Sequence, residues 1–155
     1  METIKKPTQK YKQQIINRAL NYIREEATTS SNFFTDAEYT KNFVTMRIAD
    51  DHQEKFLVLY LNSQNRLIKD IIEFKGTISS AAVYPREIVR NALTLGASAI
   101  IVAHNHPSGV AEPSQADINI TERIKSALKL VDVNLLDHFV VGRNQSVSFA
   151  QRGLL

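Results

Sequence analysis

The stretch from Ala97 to Asp117, ASAIIVAHNHPSGVAEPSQAD, constrains the fold more than any other, because it sets a strand, a turn and a helix start in succession. Residues 97–103 are apolar and rich in branched side chains, so they read as a buried strand. That strand delivers His104 and His106 at its carboxyl end, and its period of two points both imidazoles to one side. Pro107, Ser108 and Gly109 then stop the strand and turn the chain. Ser114 is placed to cap a helix whose first turn contains Asp117, which returns a carboxylate towards the histidines. Two neutral imidazoles and one carboxylate form a three-ligand set suited to zinc, with a fourth tetrahedral position left for water, as in catalytic rather than closed structural sites. Each residue alone has an ordinary reading: a strand-end histidine is usually a hydrogen-bonded residue, and a first-turn Asp favours the helix dipole. The four together, at this spacing, select the metal.

The string HNHPSG followed by PSQAD resembles the JAMM signature of the JAB/MPN metallopeptidase-like fold, His-x-His, seven residues, Ser, two residues, Asp, and within that fold looks most like the bacterial RadC-like proteins. FLVLYLNSQNRLI, FKGTISSAAVYPREIVRNAL, LLDHFVVG and the terminal RGLL are similar to RadC-type sequence as well, so the resemblance runs over roughly residues 50–155. It implies an α/β sandwich of the cytidine-deaminase-like type, a mixed β-sheet flanked by helices. It also implies a zinc-dependent, hydrolase-like site in which His104, His106 and Asp117 hold one zinc ion, a water completes the shell and Ser114 helps hold the oxyanion. Catalytic members use a glutamate on an earlier strand as proton acceptor. Glu54, which opens the strand-like EKFLVLYLN, is the preferred choice; Glu73 on the next strand-like run and Glu87 beside Pro85 are the alternatives. Glu87 also has a simple reading as a first-turn acid that favours a helix dipole.

Composition bounds the rest. At 155 residues, 43% hydrophobic with 5 Gly and 4 Pro, the chain is long enough for a single core and too apolar for a disordered or fibrous class. No run approaches a membrane span, and METIKKPTQKYKQQ carries charge without an apolar core, so neither an anchor nor a secretory signal is visible and a cytoplasmic location is expected. Cysteine is absent, which removes disulfides, thiol nucleophiles and Cys-type zinc fingers. Of 19 Lys and Arg against 16 Asp and Glu, residues 1–12 hold Lys5, Lys6, Lys10 and Lys12 against Glu2, so the remainder carries 15 of each sign. The basic excess is a tail property, and DNA association draws only weak support from it.

The sequence divides into an N-terminal helical extension, residues 1–49, packing on a metal-binding body, residues 50–155. Apolar residues Ile15, Ala19, Tyr22, Ile23 and Ala27 recur at helical spacing over 8–26, TTSSN at 28–32 reads as a break, and Thr35 or Asp36 is placed to cap a second helix to about Val44. RadC relatives commonly carry a helix-hairpin-helix segment ahead of the catalytic domain; no Gly-rich hairpin pair appears here, so the front is expected to pack on the body. In the body, strands over 54–61 and 67–75 form a hairpin across SQNR. A helix from Pro85 buries Ile88, Val89, Ala92 and Leu93 and ends at Gly96. A helix over 114–130 turns Ile120, Ile124, Ala127, Leu128 and Val131 inward, and strands over 133–141 and 146–149 follow across GRNQ.

His138 reads first as a hydrogen-bonded sheet histidine, with a donor behind the metal ligands as its functional alternative; Asp137 beside it has no assigned role, and His52 reads as solvated. No HExxH spacing supports a zincin. The leading expectation is a zinc metallohydrolase acting on an amide, a peptide or isopeptide bond in a peptide or protein substrate. A metal-bearing binding module in DNA repair, the family's traditional label, or in phage or mobile-element processes is the second reading. Nuclease chemistry is third, since many such enzymes use paired metals about 3.5–4 Å apart and this ligand set holds one.

Overall fold

The computed structural model describes residues 7–30, 33–49, 52–76 and 83–155. Lys5, Lys6 and the end of the expected break at residues 31–32 lie outside the described residues. The first helix, α1, spans Gln9–Thr29, with the Thr8 hydroxyl accepting from the Tyr11 N–H. A 3-10 turn at Phe33–Thr35 leads to α2, Ala37–Ile48. Its cap is Asp36, whose carboxylate accepts from the N–H groups of Glu38 and Tyr39. It runs a full turn past Val44 because Ile48, 2% exposed, extends its buried stripe.

Strands β1, Glu54–Leu61, and β2, Leu67–Gly76, form the antiparallel hairpin, its turn closed by the Asn62 side chain accepting from the Gln64 and Arg66 N–H groups. Helix α3, Pro85–Leu95, starts on proline and stops at Gly96, whose φ of 66° suits the left-handed cap. Leu93, expected inside, points to solvent at 57% exposure; Ile88 and Ala92 carry the contact. Strand β3 covers Ala99–Asn105, helix α4 Gln115–Lys129, β4 Asn134–Val141 and β5 Ser146–Ser148. A short α5, Phe149–Arg152, begins at Ser148 and takes over residue 149 from the strand expected there.

The sheet order is β2-β1-β3-β4-β5, antiparallel throughout except for the parallel pair β3/β4, whose crossover is α4. Helices cover both faces, which is why β1 and β3 are continuous apolar runs rather than alternating ones. On one face α1, the 3-10 turn and α2 bury Phe34, Phe43, Val44 and Ile48 against Leu57, Leu59, Ile101 and Phe139. On the other, α3 and α4 bury Ile88, Ala92, Ile120, Ile124 and Leu128 against Phe56, Val58, Ile100 and Val102. The front helices thus share one core with the sheet. No helix among the described residues is long and apolar enough to cross a membrane.

Candidate metal centre

Strand direction assembles the site. Because β1 and β3 are antiparallel with Phe56 opposite His104, the amino end of β1 lies beside the carboxyl end of β3. Continuing that register by two residues sets Glu54 across from His106, on the face that Phe56 and His104 share. Parallel β4 pairs Val102 with His138, which brings the His138 ring to a centroid distance of 4.9 Å from that of His104. From above, α4 contributes the inward stripe Asp117, Ile120, Thr121, Ile124 and Leu128, with Asp117 in its first turn.

The Ser114 cap aims the carboxylate. Ser114 Oγ accepts from the Asp117 N–H at 3.1 Å, while Asp117 Oδ2 accepts from the Ser114 N–H and from its hydroxyl, both at 2.7 Å. Oδ1 is left 3.1 Å from His104 Nε2, and Oδ2 lies 3.4 Å from His106 Nε2. The two Nε2 atoms are 2.9 Å apart. His104, His106 and Asp117 are thus brought together with ligand atoms within 4.8 Å of one another, a group among the described residues fit to hold a metal ion. Two imidazole nitrogens and a carboxylate oxygen, with His104 and Asp117 at 1% and 3% exposure, match the donors and partial enclosure that zinc takes in three-ligand sites. The one hydroxyl proton of Ser114 is directed at Asp117, so donation to an oxyanion requires the hydroxyl to turn away from Oδ2.

His106 is oriented by the chain that follows it. Its Nδ1 lies 2.8 Å from the Val110 carbonyl, which only accepts, so Nδ1 carries the hydrogen and the neutral ring presents its Nε2 lone pair to the ligand cluster. The hydrogen bond to Asp117 is the main cause that raises the His106 pKa; partial burial opposes it, and the Val110 carbonyl and the charges of Asp117 and Glu54 add to it. Burial works to raise the Asp117 pKa, but His104 and His106, which donate to it when protonated, hold the carboxyl well below its usual range. His138, fully enclosed, is pushed well below the imidazole range, first by burial and then by the neighbouring His104.

Glu54 lies at the rim, and its charge reaches His106. Asn105, on the opposite face of β3 and 1% exposed, brackets it: Asn105 Oδ1 accepts from the Lys55 N–H at 2.7 Å and Nδ2 donates to the Gln53 carbonyl at 3.0 Å. The alternatives are engaged elsewhere. Glu73 accepts from the Tyr60 hydroxyl and from Asn91 Nδ2, at 2.5 and 2.8 Å, and Glu87 pairs with Arg90 in the first turn of α3.

Asp137 gains a structural role, accepting from the Ser148 hydroxyl and from the N–H groups of His138 and Ala150, which ties β4 to β5 and α5. His52 is exposed. Sequence reasoning missed Asn105, Thr121 and the Val110 carbonyl. Two of these had a signal: Thr121 follows Asp117 by four, the same helical face, and Asn105 sits between two same-side histidines and must face the other way.

The sequence profile of the RadC-like JAB domain matches residues 34–154. The chain belongs to the RadC-like JAB domain family. It is similar to the UPF0758 protein of Vibrio vulnificus strain YJ016, 50% identical over 141 residues, covering 91% of this chain and 62% of that one. The same figures hold for the UPF0758 protein of Aliivibrio fischeri strain MJ11: 50% over 141 residues, 91% and 62%. For the UPF0758 protein of Pseudoalteromonas translucida the identity is 50% over 143 residues, 92% of this chain and 63% of the relative. The chain therefore spans somewhat under two thirds of the length of the curated relatives it matches, 62–63%. In a RadC-like JAB domain the mixed sheet flanked by helices is the family's own architecture, and this chain has it.

Proposed function

We propose that this RadC-like JAB domain holds one zinc ion through His104 Nε2, His106 Nε2 and Asp117, and hydrolyses an amide, a peptide or isopeptide bond of a protein or peptide substrate. The observation that carries the reading is the convergence of two imidazole nitrogens 2.9 Å apart on one capped carboxylate. With Nδ1 of His106 committed to a carbonyl, its Nε2 lone pair faces other electron-rich atoms, and a cation held between them would relieve the repulsion. Zinc bound there would act as a Lewis acid and lower the pKa of a water from 15.7 towards about 7.

The chain's own residues supply the rest. Glu54, whose backbone neighbours Gln53 and Lys55 are tied to Asn105, is the proposed residue that accepts a proton at its carboxylate and returns it to the leaving amine, work that typically contributes about 10²–10⁴-fold. Ser114, once its hydroxyl turns from Asp117 Oδ2, is the donor for the developing oxyanion. A cleft lined by Ser108, Gly109, Val110, Arg143, Asn144 and Gln145 adjoins the His106 anchor and offers room for substrate backbone. The absence of cysteine suits a cytoplasmic setting. The non-catalytic alternative, a metal-bearing module in DNA-related processes, rests on the family label and not on charge, because the chain beyond residue 12 is balanced.

The test is metal content by mass spectrometry on tag-free protein prepared without chelators. About one zinc per chain is expected, and it should be lost in His106→Ala while the circular dichroism spectrum stays native. Full zinc occupancy in His106→Ala would reject the ligand assignment.

A further inference from the structure

Behind the ligand set, a buried polar chain leads from His104 into the core. His104 Nδ1 lies 2.8 Å from His138 Nε2, His138 Nδ1 lies 2.6 Å from Thr121 Oγ1, and Thr121 Oγ1 lies 2.6 Å from the backbone carbonyl of Asp117. All of these side chains are enclosed: Thr121 and His138 are at 0% exposure and His104 at 1%. The His138 ring is stacked on Phe149 at a centroid distance of 4.6 Å and meets the edge of Phe56 at 5.7 Å, which closes it off from bulk solvent.

The direction of every hydrogen in this chain follows from its last member. A carbonyl only accepts, so the single proton of the Thr121 hydroxyl goes to the Asp117 carbonyl. Thr121 Oγ1 is then an acceptor towards His138, and Nδ1 of His138 carries the hydrogen. His138, whose ring nitrogens face a hydroxyl and an imidazole rather than a carboxylate, presents a lone pair at Nε2. It accepts from Nδ1 of His104, and Nε2 of His104, the atom facing His106 and Asp117, is left bare.

We infer that Thr121 and His138 are positioning residues that fix the tautomer of His104, so that its Nε2 lone pair is turned to the ligand set before any ion arrives. The chain closes on itself, since the carbonyl that sets the first hydrogen belongs to Asp117, the residue whose side chain is the third ligand. The two histidines are thereby set by different means, His106 by a carbonyl of the adjoining loop and His104 by a relay through β4 and α4. Partners of this kind behind a metal-binding imidazole typically alter metal affinity by about 10–100-fold.

The inference deepens the zinc reading and rests on it for its affinity arm only. Two measurements test it: long-range proton–nitrogen correlation spectra of the imidazoles in chelator-treated protein above the imidazole titration range, and zinc affinity by competition with a chromophoric chelator. They are made on the wild type, Thr121→Ser, which keeps the hydroxyl, and Thr121→Val, which keeps the shape and removes it. In the wild type and Thr121→Ser, His104 should carry its hydrogen on Nδ1, and zinc affinity should agree within about threefold. In Thr121→Val the other tautomer of His104 should appear and zinc should bind about 10–100-fold more weakly. A wild-type spectrum with the His104 hydrogen on Nε2 would overturn the relay. So would a folded Thr121→Val with unchanged zinc affinity and unchanged His104 signals. Should Thr121→Val fail to fold, the wild-type and Thr121→Ser spectra decide. Should the wild type bind no zinc, the metal reading fails while the spectra still decide the relay.

Discussion

Asn105 shows how one residue between two histidines of the proposed metal set serves a third group. Its histidine neighbours face α4, and the alternation of the strand sends its amide to the other side, where it ties down Gln53 and Lys55 on either side of Glu54. In Asn105→Ala the Lys55 N–H and the Gln53 carbonyl lose a buried partner, a loss of about 1–3 kcal/mol in stability. Zinc per chain should be unchanged, because no ligand is touched. Amide hydrolysis in single turnover should fall about 10–100-fold, the scale of a proton acceptor misplaced by about 1 Å. Loss of zinc in this variant, or full activity, would contradict the assignment. At this scale the His104, His106 and Asp117 cluster was legible because metal chemistry restricts residue types and spacing together, whereas Asn105 acts through β1, far off in the chain, and Thr121 left only its spacing of four from Asp117, its partner His138 lying on β4.

The loop of the centre and the β4–β5 turn are packed backbone to backbone, and two glycines separate local strain from effects on the site. A Cβ at Gly142 would stand 2.5 Å from the Gly109 carbonyl oxygen and 3.0 Å from the Ala111 nitrogen, both immovable without shifting the segment whose Val110 carbonyl orients His106. Gly142→Ala should therefore destabilise by about 1–3 kcal/mol and weaken zinc together, read by urea unfolding and chelator competition. Gly96 caps α3 at φ 66° with nothing within 4 Å of its missing Cβ. Gly96→Ala should lose about 1–2 kcal/mol to left-handed strain and leave zinc affinity unchanged. Equal zinc affinities in the two variants would mean that the loop does not transmit the displacement. The elements themselves were largely readable: Pro85 and Gly96 bound α3, and Ser114 starts α4. Leu93 misled because its apolar character fits the helical period, although its position on α3 faces away from the sheet. The end of the chain was misread because α5 is a single turn, too short for periodicity to show, and is held by Asp137 and Ser148 from neighbouring strands.

For the molecule as a whole, strand order was the least legible property, since nothing local says that β1 lies between β2 and β3 or that β3 and β4 run parallel. What fastens the front helices to that sheet is equally non-local. Asp70 of β2, 8% exposed at its side chain, accepts from Arg24 of α1 at Nε and Nη2, both 2.8 Å, and from Arg47 Nε of α2 at 2.9 Å. Burial pushes the Asp70 pKa up, but the two guanidinium groups more than offset it, and the folded-state value lies below the ordinary one. A carboxyl whose folded pKa is depressed stabilises fully above its unfolded value of about 3.9, and that contribution fades as pH falls towards the folded pKa. Asp70→Asn keeps the shape and removes the charge, so it should be less stable than the wild type by about 1.5–3 kcal/mol at neutral pH. Unfolding followed by urea at a series of pH values should show that gap constant down to about pH 5 and shrinking below about pH 4. A gap that keeps its size into acid would mean that the carboxylate's charge does not hold α1 and α2 to β2, and that the apolar contacts of Phe43, Val44 and Ile48 with the sheet suffice.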